Sequence, residues 1–443
     1  MSKSSDNVKT QRRAVIVNGV RTPFVRAFAE YMKLDAIDLG AKAVQGLLQK
    51  TGLAHHLIDA LYWGGVIFPN GAPNVGREIV LDLGLPPTID AYTVTRACSS
   101  SLLSIALAAT AIERGEADVV IAGGGDSTSN AEVILPRSLM QTVAPVAMNR
   151  KAGVLDWLGV VAQLAPFTDI LPQRPQVAER STGQLMGEAA EEMAQRNNIS
   201  REEQDKFTLS SHQRAAAAMA SGRFANEVIP VKTASGKTVY SDTIVRGDTT
   251  LAKLGKLRPV FAKNGTLTAG NSSALTDGAA AALLMSDEKA AELGFTPLAA
   301  FKSWHWVGVD PADQLLMGPA VTMPVALKKA GLELKDIDVV DIHEAFAAQV
   351  LSVLKMLASD NFARQRLGYD QAMGEIPPEK LNIHGGSVAL GHPFGATGAR
   401  MVITMANELA LTDKKTALLG VCAAGGLGAA AVLEAVNSSQ SSS

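Results

Sequence analysis

Cysteine is almost missing from this sequence: among 443 residues only Cys98 and Cys422 occur, far apart along the chain. Two thiols so placed make neither a disulfide framework nor a zinc-ligand spacing, so no metal site is expected and a reducing, cytoplasmic setting is. No charge of one sign dominates. Lys plus Arg number 41 against 43 Asp plus Glu, a formal net charge of −2, which excludes the chain-wide basic footprint of a nucleic-acid binder. Long apolar runs are lacking as well. Leu102–Ile112 and Val154–Leu171 fall short of the roughly 20 residues a spanning helix needs, and the second contains Asp156, Pro166 and Asp169. Ala14–Val17 is too short for a secretory apolar core and reads as a first strand, so no export signal is expected.

What is present is globular composition, 47% hydrophobic and 19% charged, enough for two or three domains. Short β-branched runs (Ala14–Val17, Leu61–Val66, Val119–Ala122) alternate with Ala- and Leu-rich helical segments (Ala36–Lys50, Leu102–Ile112), the pattern of an α/β layered fold. An internal echo supports a duplication. Lys50-Thr51-Gly52-Leu53 leads to Ile58-Asp59-Ala60-Leu61, and Lys329-Ala330-Gly331-Leu332 leads at the same spacing to Ile337-Asp338-Val339-Val340. Each copy reads as a helix ending at a Gly cap and turning into a buried strand. Val119–Gly125 is echoed in the same way by Leu418–Gly426. Between the halves, Pro136, Pro145, Pro166, Pro172 and Pro175 precede a charged helical stretch, Glu188–Met219, as in an insertion lying over one face. The expected organisation is an N-terminal half at 1–130 and 260–295, an inserted loop domain at 131–259, a C-terminal half at 296–437 and a disordered Ser-rich tail at 438–443.

Four residues could carry chemistry. Cys98 follows the strand candidate Thr88–Thr95 and opens a helix, so it sits at a strand-to-helix elbow. Free amides and the helix dipole there are expected to lower its pKa well below about 8.5, although a buried, inert cysteine would occupy the same place. His392 lies in a loop crowded with Gly and Pro, Gly385–Gly398, where it could take a proton from a thiol or bond an oxyanion; His384 reads as structural. Cys422 reads as lying just after a strand, inside a Gly-rich turn whose amides are free to face a ligand. His343 follows the strand candidate Ile337–Ile342, where it is either an active-site residue or part of a capped helix start.

Together these segments resemble the thiolase family along essentially the whole length. The loop around Cys98, HEAF at His343–Phe346, GGSVALGHPFGATG at Gly385–Gly398 and CAAGGLGAA at Cys422–Ala430 occur in the family's order. The resemblance implies the thiolase fold: two duplicated βαβαβαββ halves in an αβαβα layering, with a loop domain inserted in the first. Thiolases more commonly carry Asn-Glu-Ala-Phe. The histidine here, with Asp90-Ala91-Tyr92 and Ser211-His212-Gln213-Arg214, is similar to β-subunits of the trifunctional fatty-acid oxidation complex. That similarity implies a 3-ketoacyl-CoA thiolase of β-oxidation. Cys98 would be the acylated nucleophile, His392 its activator and Cys422 the acid/base. His343 would serve the first oxyanion, directly or through water, and the backbone N–H groups of Cys98 and Ala424 the second. Arg246, Lys253, Ala269 and Ser273 would contact coenzyme A, a substrate and not a tightly bound cofactor.

The resemblance further implies a homodimer or tetramer, with a hydratase/dehydrogenase α-subunit as partner. Val154–Leu171 could cover an acyl tunnel, meet a partner or rest peripherally on a membrane. A biosynthetic acetoacetyl-CoA thiolase, a decarboxylating ketoacyl synthase and a non-catalytic lipid carrier are the alternatives. Cys422 separates the synthase, which needs no second thiol base.

Overall fold

The computed structural model describes residues 12–132, 136–165, 178–233 and 235–436. The N-terminal half runs β1 (Ala14–Arg21), α1 (Ala36–Thr51), β2 (Ala60–Gly64), β3 (Asp90–Val94), α2 (Ser100–Glu113) and β4 (Val119–Asp126). After the helices α3 (Arg137–Ala147), α4 (Val154–Leu164) and α5 (Arg201–Ala220) it closes with β5 (Thr276–Ser286). The second half runs β6 (Ala299–Gly308), α6 (Gly318–Ala330), β7 (Val339–Ile342), α7 (Ala347–Leu357), α8 (Thr397–Leu411), β8 (Thr416–Ala423) and β9 (Leu427–Glu434).

Strand order displays the duplication. The first half is ordered β3-β2-β4-β5-β1, with β3-β2-β4 parallel and the other pairs antiparallel. The second is β7-β8-β9-β6 with the same senses, and Val340 pairs in parallel with Leu381 where the first half has β3. The third strand of the second half is thus reduced to one bridge. Both sequence echoes fall on equivalent strands, the first ahead of β2 and β7, the second on β4 and β8. Gly52 (φ 65°) and Gly331 (φ 69°) end α1 and α6 in the left-handed region the turns require. At its other end α1 is fixed by a reciprocal capping box between Asp35 and Asp38.

The halves join where β1 pairs β6 at Val15–Ala300 and Ile16–Ala299. Helices α2 and α8 pack together, buried with residues from strands of both halves in one apolar cluster. Helices α1, α2 and α8 all pack on β4 and β5, whose central residues are small and apolar and which are buried throughout. Gly124 on β4 shows how tight this is: a Cβ there would stand 2.5 Å from the Gly64 carbonyl oxygen and 2.6 Å from that of Gly395.

Contacts divide the chain into two compact units, 131–178 and the remainder; residues 179–259, expected with the insertion, pack within the larger one. The smaller unit contributes α3, which contains Pro145, and α4, on which Val154, Leu155 and Leu158 are exposed. The expected charged helix divides at Asn197–Ser200 into Met186–Arg196 and α5, the latter capped by Ser200 and Glu203. Pro166, Pro172, Pro175, the end of the 154–171 segment and the tail 438–443 lie outside the described residues.

Gly124→Ala is expected to lower stability by at least about 1–3 kcal/mol, because both carbonyls it meets are backbone and cannot swing aside. A reduced urea midpoint at unchanged slope would show this, and an unchanged midpoint would contradict it.

Candidate active site

The elbow after β3 forms as expected: Ala97 is held at φ 47°, and α2 begins at Ser100. Ser100 Oγ accepts from the Arg96 amide and donates to the Ala97 carbonyl, bracing the turn. Arg96 also reaches the second half, donating to the carbonyls of Val307 and Gly428 and covering the Trp306 ring. Cys98 is thereby delivered partly exposed, facing the loop that carries His392.

His392 Nε2 lies 3.1 Å from Cys98 Sγ, and its Nδ1 lies 2.7 Å from Thr397 Oγ1. When Nδ1–H donates to the threonine, the Nε2 lone pair faces the thiol. Asp126, buried at the end of β4, fixes this loop from below. Its carboxylate accepts from the Val66, Ile67 and Gly395 amides at 2.9, 2.6 and 2.6 Å. Gly391 at φ 104° gives the loop its turn, and Leu275, entering β5, bridges to His392.

His343 follows β7, its amide donating to the Gly420 carbonyl. Its ring centroid is 4.2 Å from that of His392. Nδ1 lies 3.0 Å from Ser387 Oγ, while Nε2 is buried without a hydrogen bond. Behind Ser387 stands a buried ion pair: Arg400 reaches Ser387 Oγ at 3.5 Å and Asp341 Oδ2 at 2.8 Å. Arg400 can only donate, so the serine hydroxyl remains able either to donate to Nδ1 or to accept from it. Glu344 holds the same loop by accepting from Asn382, Ser211 and the Val388 amide.

Cys422 is a correction. It lies within β8, opposite Gly428 and buried, not in the following turn, because the ladder to β9 continues through Ala423. The Ala424 amide, just past the strand, and the Cys98 amide both favour the charged form of the Cys98 thiol.

Electrostatically the site also departs from expectation. Burial pushes the Cys98 thiol up to about 12, outweighing the two amides that favour the thiolate, and the Asp126 charge adds to the rise. Burial drives Cys422 well above the usual thiol range, with Cys98 a further cause. Burial likewise brings His392 down to about 3 and His343 well below its ordinary value, with Arg400 contributing to both. Asp126 is raised to about 7 by burial, partly offset by its three amides. Burial thus favours a neutral thiol beside a neutral imidazole.

The expected coenzyme A residues are spread along the neighbouring surface. Arg246 is exposed, its amide donating to His212 Nδ1, and exposed Lys253 is ion-paired with Asp248. Ala269 is exposed, while the Ser273 amide bonds the Ala345 carbonyl, which ties its loop to the His343 segment. His384, expected to be structural, sits 2.7 Å from Glu408. Asp126, Asp341, Ser387, Thr397 and Arg400 were not singled out in the sequence. Only the runs GGGD and GGSVALGHPFGATG hinted at three of them, by placing polar side chains among obligatory glycines.

Comparison with known proteins gives the family. The thiolase N-terminal domain model matches residues 14–288 and the thiolase C-terminal domain model residues 295–435. The chain belongs to the thiolase family. It is 45% identical over 424 residues to a 3-ketoacyl-CoA thiolase of Yersinia pestis (strain Pestoides F), covering 95% of this chain and 97% of that one. Human mitochondrial 3-ketoacyl-CoA thiolase superposes with a TM-score of 0.80 at 32% identity, covering 96% of this chain and 100% of the human one. The same human enzyme in complex with CoA gives 0.79 at 31% identity over 96% and 98%.

Alkylation of Cys98 in this thiolase is expected to quicken about tenfold per pH unit from neutral into alkaline solution, since thiolate appears as the proton leaves. No plateau should precede the approach to about 12. A rate that levels near neutrality would mean a preformed thiolate–imidazolium pair.

Proposed function

We propose that the chain is a 3-ketoacyl-CoA thiolase of fatty-acid β-oxidation, an acyltransferase that cleaves 3-ketoacyl-CoA with coenzyme A by ping-pong covalent catalysis. The observation that carries this reading is an imidazole nitrogen 3.1 Å from the Cys98 thiol, with a second histidine ring beside it and a second, buried thiol in the sequence position the reaction needs.

Cys98 Sγ attacks the 3-keto carbon while its proton passes to His392 Nε2. The oxyanion so formed takes hydrogen bonds from the Cys98 and Ala424 amides, each such donor being worth about 3 kcal/mol of transition-state stabilisation. Collapse breaks the C2–C3 bond. The departing acetyl-CoA carbanion, its charge on the thioester oxygen, is held by protonated His392 and by His343 with its proton on Nε2, and takes the Cys422 proton. Coenzyme A then returns a proton to Cys422, and its thiolate attacks the acyl group on Cys98. Cys98 leaves and recovers its proton from His392. A raised Cys422 pKa suits this exchange, because its thiolate is a strong base for coenzyme A.

Arg246, Lys253, Ala269 and Ser273 are proposed to line the coenzyme A path; the exposure of the first three and the backbone tie of Ser273 to Ala345 support this. A cytoplasmic homodimer or tetramer completes the reading, and the histidine at 343 supports a hydratase/dehydrogenase α-subunit as partner. Peripheral membrane contact through α4 belongs to it as well, supported by the exposed Val154, Leu155 and Leu158.

Cys422→Ser is expected to lower kcat for thiolysis of acetoacetyl-CoA by about 100- to 10,000-fold, the usual worth of general acid/base catalysis. CO2 release from malonyl-CoA, undiminished in that variant, would instead establish a decarboxylating synthase.

A further inference from the structure

The arrangement Cys98, His343 and His392 has a second chemical character. One ligand atom from each lies within 4.8 Å of the others, and no carboxylate belongs to the group. We propose that these three side chains form a binding site for a thiophilic divalent cation of the zinc type, which silences the nucleophile while bound.

Geometry supports it first. Tetrahedral zinc with bonds of about 2.3 Å to sulfur and 2.0–2.1 Å to nitrogen sets the donor atoms about 3.3–3.6 Å apart. His392 Nε2 and Cys98 Sγ already stand at 3.1 Å, so side-chain adjustments of about 1 Å bring the third donor in. His343 Nε2 is the independent observation: a buried ring nitrogen with nothing to bond. A buried polar atom left unpaired is costly, and a cation would satisfy it.

The surrounding groups suit ligation. Metal-bound histidines donate their other ring N–H to a fixed acceptor. Thr397 Oγ1 does this for His392 at 2.7 Å, and Ser387 Oγ can for His343 at 3.0 Å by turning its hydroxyl. That rotation places the His343 proton on Nδ1 and its lone pair on Nε2. Ligation takes each imidazole through its lone pair and the cysteine as thiolate, so Cys98–SH and M²⁺ give Cys98–S⁻–M²⁺ and one H⁺ to solvent. Asp126 favours a cation from the β4 side, and Asp341 offsets the opposing Arg400 charge. Partial exposure of Cys98 leaves the fourth position open to water or a free thiol. His343 decides the site, because the commoner Asn-Glu-Ala-Phe motif lacks the second imidazole.

The test is titration of the untagged full-length protein with Co²⁺, following the sulfur-to-cobalt charge-transfer band, with zinc as competitor and a dye reporting released protons. One equivalent should bind, release one proton and be displaced by zinc. The band should vanish in Cys98→Ser, persist in Cys422→Ser, and need at least about 100-fold more cobalt in His343→Asn, since even an outer-shell partner is worth about 10- to 100-fold. Circular dichroism would verify that each variant is folded. Binding at the exposed His55–His56 pair would give no sulfur band. Absence of the band at millimolar cobalt, or a band indifferent to both Cys98→Ser and His343→Asn, would overturn the proposal. The readout is independent of turnover, so its failure and that of the thiolytic reading are separate results.

Discussion

The site depends on setting a partly exposed thiol, a buried thiol and two buried imidazoles where their charged forms are poorly solvated. Desolvation outweighs the local amides and drives every member toward neutrality: thiols up, imidazoles down. A neutral pocket can admit a ketone and a thioester without expelling a tightly held hydration shell. Charge arises only as the reaction proceeds, next to donors already in position.

Buried carboxyl groups and one arginine stand one layer away. Asp126 carries the His392 loop on three amides, and the Asp341–Arg400 pair backs the serine that orients His343. A buried charge that loses its partner costs several kcal/mol, so these groups lock loop positions. The nucleophile comes from the first half, while both histidines and the second thiol come from the second. The β1–β6 seam and the packing of α2 on α8 are therefore as necessary to the site as its own side chains.

Much of this was legible in the sequence, for identifiable reasons. The duplication left matching caps at Gly52 and Gly331, and the alternation of runs gave the layering. Cys98 was readable because a thiol between a strand and a small-residue helix has one plausible placement. His392 was readable because its loop is dense in Gly and Pro. Arg400 and Asp341 were not: an Arg inside an apolar helix and an Asp inside a buried strand declare themselves only when folding pairs them. The Cys98 pKa was expected in the wrong direction, since amides can be counted along a chain and burial cannot. Cys422 was displaced from turn to strand by the continuing ladder to β9.

The most direct test of the account is to mix the enzyme with a 3-ketoacyl-CoA in the absence of free coenzyme A, quench, and map the modified peptide by mass spectrometry. One acetyl-CoA per active site should be released, leaving an acyl group two carbons shorter than the substrate on Cys98. An acyl group on Cys422, or acetyl-CoA release with no covalent adduct, would contradict it.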